Sequence, residues 1–271
     1  MATWNANTQV LLNTNQTLHE TSIPVDRHGS IISGNYFLDV AKGKIPGSSV
    51  VFLSGRNAAA NTLVQPSTIW NVGGAYPWSA WNGGANTIYL SSNSDSDDDH
   101  IIINGLDQNY NTITANVKID GTSSVNTGNT KFYRINSAYY QDNGAMNVGT
   151  INLRVGSSTG TIVGRIDPTY GLTSMSIYTV PAGYTAFSVF GDFSVNKGEG
   201  AELNARWRFP GGGFITVYAI ELYETAYSAA PLIPGAIPEK TDIDNVTRFV
   251  TSNGTRIYSN QQLLLVNNNY L

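Results

Sequence analysis

Residues 100–121 read HIIINGLDQNYNTITANVKIDG, and this stretch decides the fold. From Thr112 onward, Ile113, Ala115, Val117 and Ile119 fall on one face and Thr112, Thr114, Asn116, Lys118 and Asp120 on the other. A period of two is the pattern of a half-buried antiparallel strand. Ile101–Ile103 is a β-branched run suited to a preceding strand, and the residues between are rich in turn formers. The spacing therefore predicts a hairpin turning near Asp107–Asn111, with a second turn at Asp120-Gly121 that starts the next strand.

The same grammar recurs downstream. Lys131–Ala138, Thr150–Val155 and Thr161–Ile166 read as strands, followed by the longer Leu172–Val180, Thr185–Val195, Ala201–Phe209 and Phe214–Glu224. Thr241–Val250 and Arg256–Val266 close the chain. Strands at eight-to-twelve-residue spacing without helical partners predict an all-β protein, an antiparallel β-sandwich or jelly-roll-like domain over 47–271. Asp167-Pro168 interrupts the pairing and marks a candidate seam between halves. Helix is expected to be almost absent, with a turn around Ala58–Ala60 as the one plausible piece.

Upstream the pattern breaks down. Residues 1–46 hold short apolar pieces without a sustained period and read as an extended N-terminal arm that pairs with neighbouring chains. The cluster Tyr36, Phe37, Leu38 favours that over a solvated leader. Residues 70–84 place Trp70, Tyr76, Trp78 and Trp81 among paired glycines. Flat rings can stack on sugars, but packing in a core or at an interface is the commoner role. Tyr36, Phe37, Trp70, Tyr76, Trp78 and Trp81 are thus the candidate oligomer or partner contacts.

Composition narrows the function. The chain has 271 residues, 41% of them hydrophobic, and its net charge is -4. Only 13% are charged, about half the roughly 25% usual in globular proteins, which suits a protein that covers its surface with other subunits and equally a hardy extracellular β protein. No basic run points to nucleic acid. No segment approaches the roughly 18 apolar residues of a membrane helix, and the N-terminus carries no export pattern. Cysteine is absent, so thiolate chemistry and disulfides are excluded.

No catalytic, cofactor or metal constellation emerges. His19, His28 and His100 are not at ligand spacing. Gly156-Ser157-Ser158-Thr159-Gly160 matches a nucleophile-elbow pattern but precedes another strand, so it reads as a hairpin turn. Asp95, Asp97 and Asp99 have calcium-loop spacing, but His100 and Leu106 stand where that loop needs glycine and an acid. A solvated loop tip is the expectation there, with an ad hoc calcium site as the alternative. Asp242 and Asp244 would share one side of a strand and read as a solvated or interface pair on an edge, not as glycosidase carboxylates.

Several blocks resemble tailed-bacteriophage virion structural proteins: YFLDVAKGKIPGSSVV, SGRNAA, IWNVGGAYPW, INGLDQNYNTITANVKIDGTSSV, KFYRINSAYY, NVGTINLRVG, YTVPAGYTA, RFPGGGF, PEKTDID and LLLV. The blocks are collinear and run nearly end to end, with the first thirty or so residues matching least. The resemblance implies a β-rich building block of the particle with no enzymatic activity. The leading expectation is a capsid decoration (cement) protein, a homo-oligomer such as a trimer, stabilising the head shell. Its partners would be itself and the major capsid protein or other virion proteins, and it would be made in the host cytoplasm and located in the virion. Alternatives are a neck, baseplate or tail-fibre component binding a receptor or glycan, and a polysaccharide-degrading enzyme.

Overall fold

A computed structural model describes residues 36–61, 66–141, 146–196, 198–223, 226–229 and 235–271. Among the described residues strand accounts for 56% and helix for 6%, so the all-β, nearly helix-free expectation holds. The strands in chain order begin with β1 (Ser48–Ala60), β2 (Ser67–Thr68), β3 (Ile88–Ser92), β4 (His100–Leu106), β5 (Thr112–Lys118) and β6 (Val125–Asn126). Next come β7 (Arg134–Gln141), β8 (Ile151–Val155), β9 (Ile162–Ile166), β10 (Ile177–Thr179), β11 (Tyr184–Val195) and β12 (Gly200–Arg208). The last are β13 (Phe214–Tyr223), β14 (Ala226–Ala229), β15 (Ala236–Ile237), β16 (Asp242–Val250) and β17 (Thr255–Asn267).

The hairpin that opened the sequence reading is β4–β5, paired in continuous register from His100↔Lys118 to Leu106↔Thr112. Tyr110 supplies the left-handed residue of its turn, at φ 66°, and Asp107 caps it, accepting from Asn109 N at 2.8 Å and Asn111 N at 2.9 Å. Ala115 and Val117 point inward, while Thr114, Asn116 and Lys118 are exposed, as alternation requires.

The single sandwich or jelly roll is overturned. The strands form four separate antiparallel sheets, β1-β17-β11-β14 with β15, β10-β16-β12-β13 with β2, β6-β3-β8-β9, and β5-β4-β7. They stand as a four-bladed, propeller-like ring. A jelly roll needs two continuous facing sheets. Here β1 pairs along almost its whole length with β17, near the other end of the chain, while residues 86–166 close two small sheets of their own.

One core, with Ile88, Leu90, Ile101, Ile103, Ile151 and Leu153 fully buried, lies under these two small sheets. Two further clusters, around Leu203, Val250 and Ile257 and around Leu53, Ile243 and Leu263, lie between the larger sheets. Burying each such side chain contributes roughly 1.5–3 kcal/mol.

Two local expectations are also corrected. Residues 58–60 are the end of strand β1, not a helical turn. Helix instead occupies Tyr36–Ala41, inside the segment read as an extended arm, followed by backbone bonds that close a turn at Lys42–Lys44. The rest of that arm, residues 1–35, lies outside the described residues, with His19 and His28. At the candidate seam, β9 ends at Ile166, and Asp167 sits 4.0 Å from the Arg56 guanidinium of β1.

Candidate functional site

The aromatic segment of residues 70–81 folds inward. Gly73 and Gly74 both adopt positive φ, 80° and 70°, which turns their two carbonyls toward the Trp70 indole. Trp70 Nε1 donates to each at 3.0 Å. Tyr76 meets the Trp70 ring edge-on at 5.0 Å, and Trp78 meets Tyr76 at 4.8 Å. Such pairs add about 1 kcal/mol each beyond burial. Tyr76 Oη donates to the Val163 carbonyl, and burial drives its phenol pKa well above the ordinary value. Trp70, Tyr76 and Trp81 are therefore packed inside their own chain, with Trp78 partly buried, while Tyr36 and Phe37 are exposed.

Trp78 leads to the most concentrated polar chemistry among the described residues. On β12 and β16 the register sets Arg206 opposite Asp244 and Arg208 opposite Asp242. The i, i+2 spacing puts both pairs on one face. Arg206 Nη2 donates to Asp244 Oδ2 at 2.6 Å, and Arg208 donates to Asp242 Oδ2 through Nη2 at 2.6 Å and Nε at 3.0 Å. Arg134, at the start of β7 in another sheet, reaches the same Asp242 carboxylate and also bonds the Tyr133 carbonyl. Thr179 Oγ1 adds a 2.6 Å bond to Asp242, and Trp78 Nε1 donates to Asp244 Oδ2 at 3.2 Å.

Aromatic faces cover the guanidinium groups. Arg208 lies over Trp78 and over Phe214, each at 4.7 Å, and Arg206 also covers Phe214 at 4.7 Å. Burial opposes the charge on Arg134, but its bonds to Asp242 outweigh that and raise its pKa. At Asp244 burial wins, and the carboxyl pKa rises despite the opposing pull of Arg206.

Three guanidinium groups thus meet two carboxylates across two sheets. Asp242 and Asp244 are buried on a central strand, which corrects the edge-pair reading. What the cluster does chemically is to lock sheets together, with each carboxylate bonded to an arginine. The sequence signal that would have found it is Arg206-Trp207-Arg208, which carries the same i, i+2 spacing as the two aspartates.

The acidic run is solvated at Asp95 and Asp98, as expected, and the expectation is corrected at Asp97. Asp97 is buried, accepting from Ser92 Oγ at 2.5 Å, Val148 N at 2.6 Å and Gly149 N at 2.8 Å. Its side chain ties the loop to the end of β3 and to the segment leading into β8, while Asp95 and Asp98 stay exposed. Asp95 takes Thr122 Oγ1 at 2.7 Å and Asp99 takes His100 N at 2.8 Å, so the three carboxylates diverge. Among the described residues no group of three metal-ligating side chains converges. The Gly156–Gly160 stretch is the hairpin turn between β8 and β9.

The outward surface differs in kind. On β13, Ile215, Val217 and Tyr218 are exposed, and Tyr223 is 67% exposed. Near Tyr223, a cleft of about 370 Å³ is lined by Glu202, Glu221, Phe249 and Thr251. Among the described residues no helix is long and apolar enough to cross a membrane.

The fold and these sites define an all-β protein whose concentrated polar chemistry braces one sheet against another. No family model matches the chain and no curated protein matches it. Among solved structures it is similar to the PBSX exported protein XepA, at 11% identity over 91% of this chain and 100% of that one, with a TM-score of 0.20. It is also similar to a chain in the structure of infectious bursal disease virus Gt strain, at 8% identity over 88% of this chain and 79% of that one, with a TM-score of 0.20. A TM-score of 0.20 is too low for either overlay to establish a common fold.

Proposed function

We propose that this chain is a structural protein of a tailed-bacteriophage virion. Its role is that of a capsid decoration (cement) protein, stabilising the head shell as a homo-oligomer without catalysing a reaction. The observation that carries the reading is the contrast between interior and surface. The arginines of the inner cluster are engaged by carboxylates and rings of the same chain, whereas β13 and its surroundings present bare apolar side chains. Exposed apolar patches on a charge-poor protein are association surfaces. The collinear sequence blocks support the phage assignment. The partners on this reading are further copies of the chain and the major capsid protein.

The deciding experiment is quantitative mass spectrometry of purified particles together with a cryo-EM map. Shell-like multiplicity and density on the head are expected. A few copies at the neck or tail would overturn the decoration role. One observation favours that second reading: in the cleft, Tyr223 and Phe249 flank Glu202 and Glu221, a pairing of rings and carboxylates suited to a glycan in a receptor-binding tail component. Glycan-array binding abolished by Tyr223→Ala would establish it.

A further inference from the structure

We propose that β13 is the joint of a symmetric dimer, in which two copies pair their β13 edges antiparallel about a twofold axis at Ala219. The inference rests on the homo-oligomer part of the function proposed above and names the surface it uses.

Strand β13 pairs with β12 on one side and, among the described residues, has no strand on the other. Ten residues at ~3.4 Å each leave roughly 34 Å of ladder open. Natural edges are blunted by lysine, proline, bulges or short length. FITVYAIELY has neither lysine nor proline, one acid, and one bulge, where Val217 is extra between Thr216↔Arg206 and Tyr218↔Ala205. Such an edge is a template for another strand.

The second copy is selected by charge. Near Phe214 the face beside the edge is the arginine end, with Arg206 and Arg208 partly exposed over the Phe214 ring. The buried Arg134 behind them leaves the group with one positive charge over Asp242 and Asp244. Near Tyr223 the edge is acidic, because Glu202 and Glu221 stand directly opposite each other. Arg248, the extra residue at the neighbouring bulge, forms no ion pair with either. Antiparallel pairing of two identical edges brings the acidic end of each onto the basic end of the other, whereas parallel pairing sets like against like.

The pleat agrees. Counting Val217 and Tyr218 as one bulged position, an axis at Ala219 pairs Phe214 with Tyr223, Ile215 with Leu222 and Thr216 with Glu221 of the other copy. Every pair then shares a face, and the smallest side chain of the strand lies on the axis. Such a contact is isologous, the commonest kind between identical subunits.

Sedimentation velocity on the full chain tests this. The wild type should form dimers, or species built from them. Thr216→Glu places like charges opposite each other at two symmetric positions and should raise the dissociation constant about tenfold. Adding Glu221→Lys converts those positions to opposite charges and should restore the dimer. Both residues are exposed, and an unchanged circular dichroism spectrum confirms the fold. An oligomer indifferent to Thr216→Glu, a trimer included, or a double variant that stays dissociated would overturn the β13 joint while leaving the homo-oligomer reading intact. A wild type that is monomeric at every concentration would overturn the homo-oligomer reading itself.

Discussion

Arg134 and Asp242 stand 108 residues apart in the chain yet form a two-bond ion pair, Nε to Oδ1 at 2.9 Å and Nη2 to Oδ2 at 3.2 Å. The pair joins the start of β7 to the start of β16 and so holds one blade of the ring to another. Fork geometry of this kind is the province of arginine, because two parallel donors match two carboxylate oxygens.

Arg134→Met should therefore lower stability by about 3 kcal/mol, toward the lower end expected when one partner of a buried pair is removed. Asp242 keeps Arg208 and Thr179, which limits the loss. Arg134→Lys should recover little, since an ammonium cannot make both bonds. Urea denaturation midpoints read both effects, and a wild-type midpoint for either variant would refute the clamp.

The same residue is reached through its backbone at Gly105. That glycine lies at the bulge of the β4–β7 ladder, and a Cβ there would run into the Arg134 carbonyl oxygen and the Phe132 ring. Gly105→Ala should cost about 2 kcal/mol, within the range for overpacking. Combining it with Arg134→Met should cost less than the sum, because both act on one strand segment. Strict additivity would mean that the bulge and the ion pair are independent.

Asp244 makes a pH prediction with an unusual sign. Burial raises its folded pKa above the ordinary 3.8. The folded state therefore holds more protons than the unfolded state between the two values, and this group's contribution falls as pH rises through that window. Glu199 behaves oppositely. Bonds from Ser252, Thr251 and Thr255 lower its pKa, so its contribution is present above the unfolded pKa and is lost as pH falls through the folded one. Stability measured from pH 3 to 7 for Asp244→Asn and Glu199→Gln, each subtracted from wild type, should give slopes of opposite sign. Parallel slopes would show that one assignment is wrong.

The hairpin of residues 100–121 was legible because period two shows on every residue, and turn chemistry at Asp107 and Tyr110 is local. Sheet partnership is not local. Nothing in residues 48–60 announces residues 255–267 as their partner, so four sheets were compressed into one sandwich. Ala58–Ala60 suggested helix because alanine propensity is strong and strand propensity depends on context. The inner cluster was half visible. Asp242 and Asp244 were placed on one side of a strand, but burial depends on the opposing arginines of β12 and on Arg134 from another sheet. Trp70, Tyr76 and Trp81 were found as aromatics with a packing role, but whether they pack within a chain or between chains depends on the tertiary fold.

Asp97 supplies the last prediction. Its two carboxylate oxygens accept from Ser92 Oγ and from the backbone amides of Val148 and Gly149. Asparagine offers one acceptor and one donor group in the same space, so Asp97→Asn would turn a donor toward an amide or the serine hydroxyl. A charge-assisted bond is lost and a buried amide is stranded, which should cost about 2 kcal/mol. The loop of residues 93–97 would loosen against residues 147–150, and hydrogen exchange at the Val148 and Gly149 amides should rise selectively. Because Asp97 already serves these donors and Asp95 and Asp99 point elsewhere, added calcium should leave the wild-type melting temperature unchanged, and a chelator should do the same. A calcium-dependent rise that Asp97→Asn abolishes would mean that the carboxylate leaves its backbone partners for a metal, and would overturn this structural role.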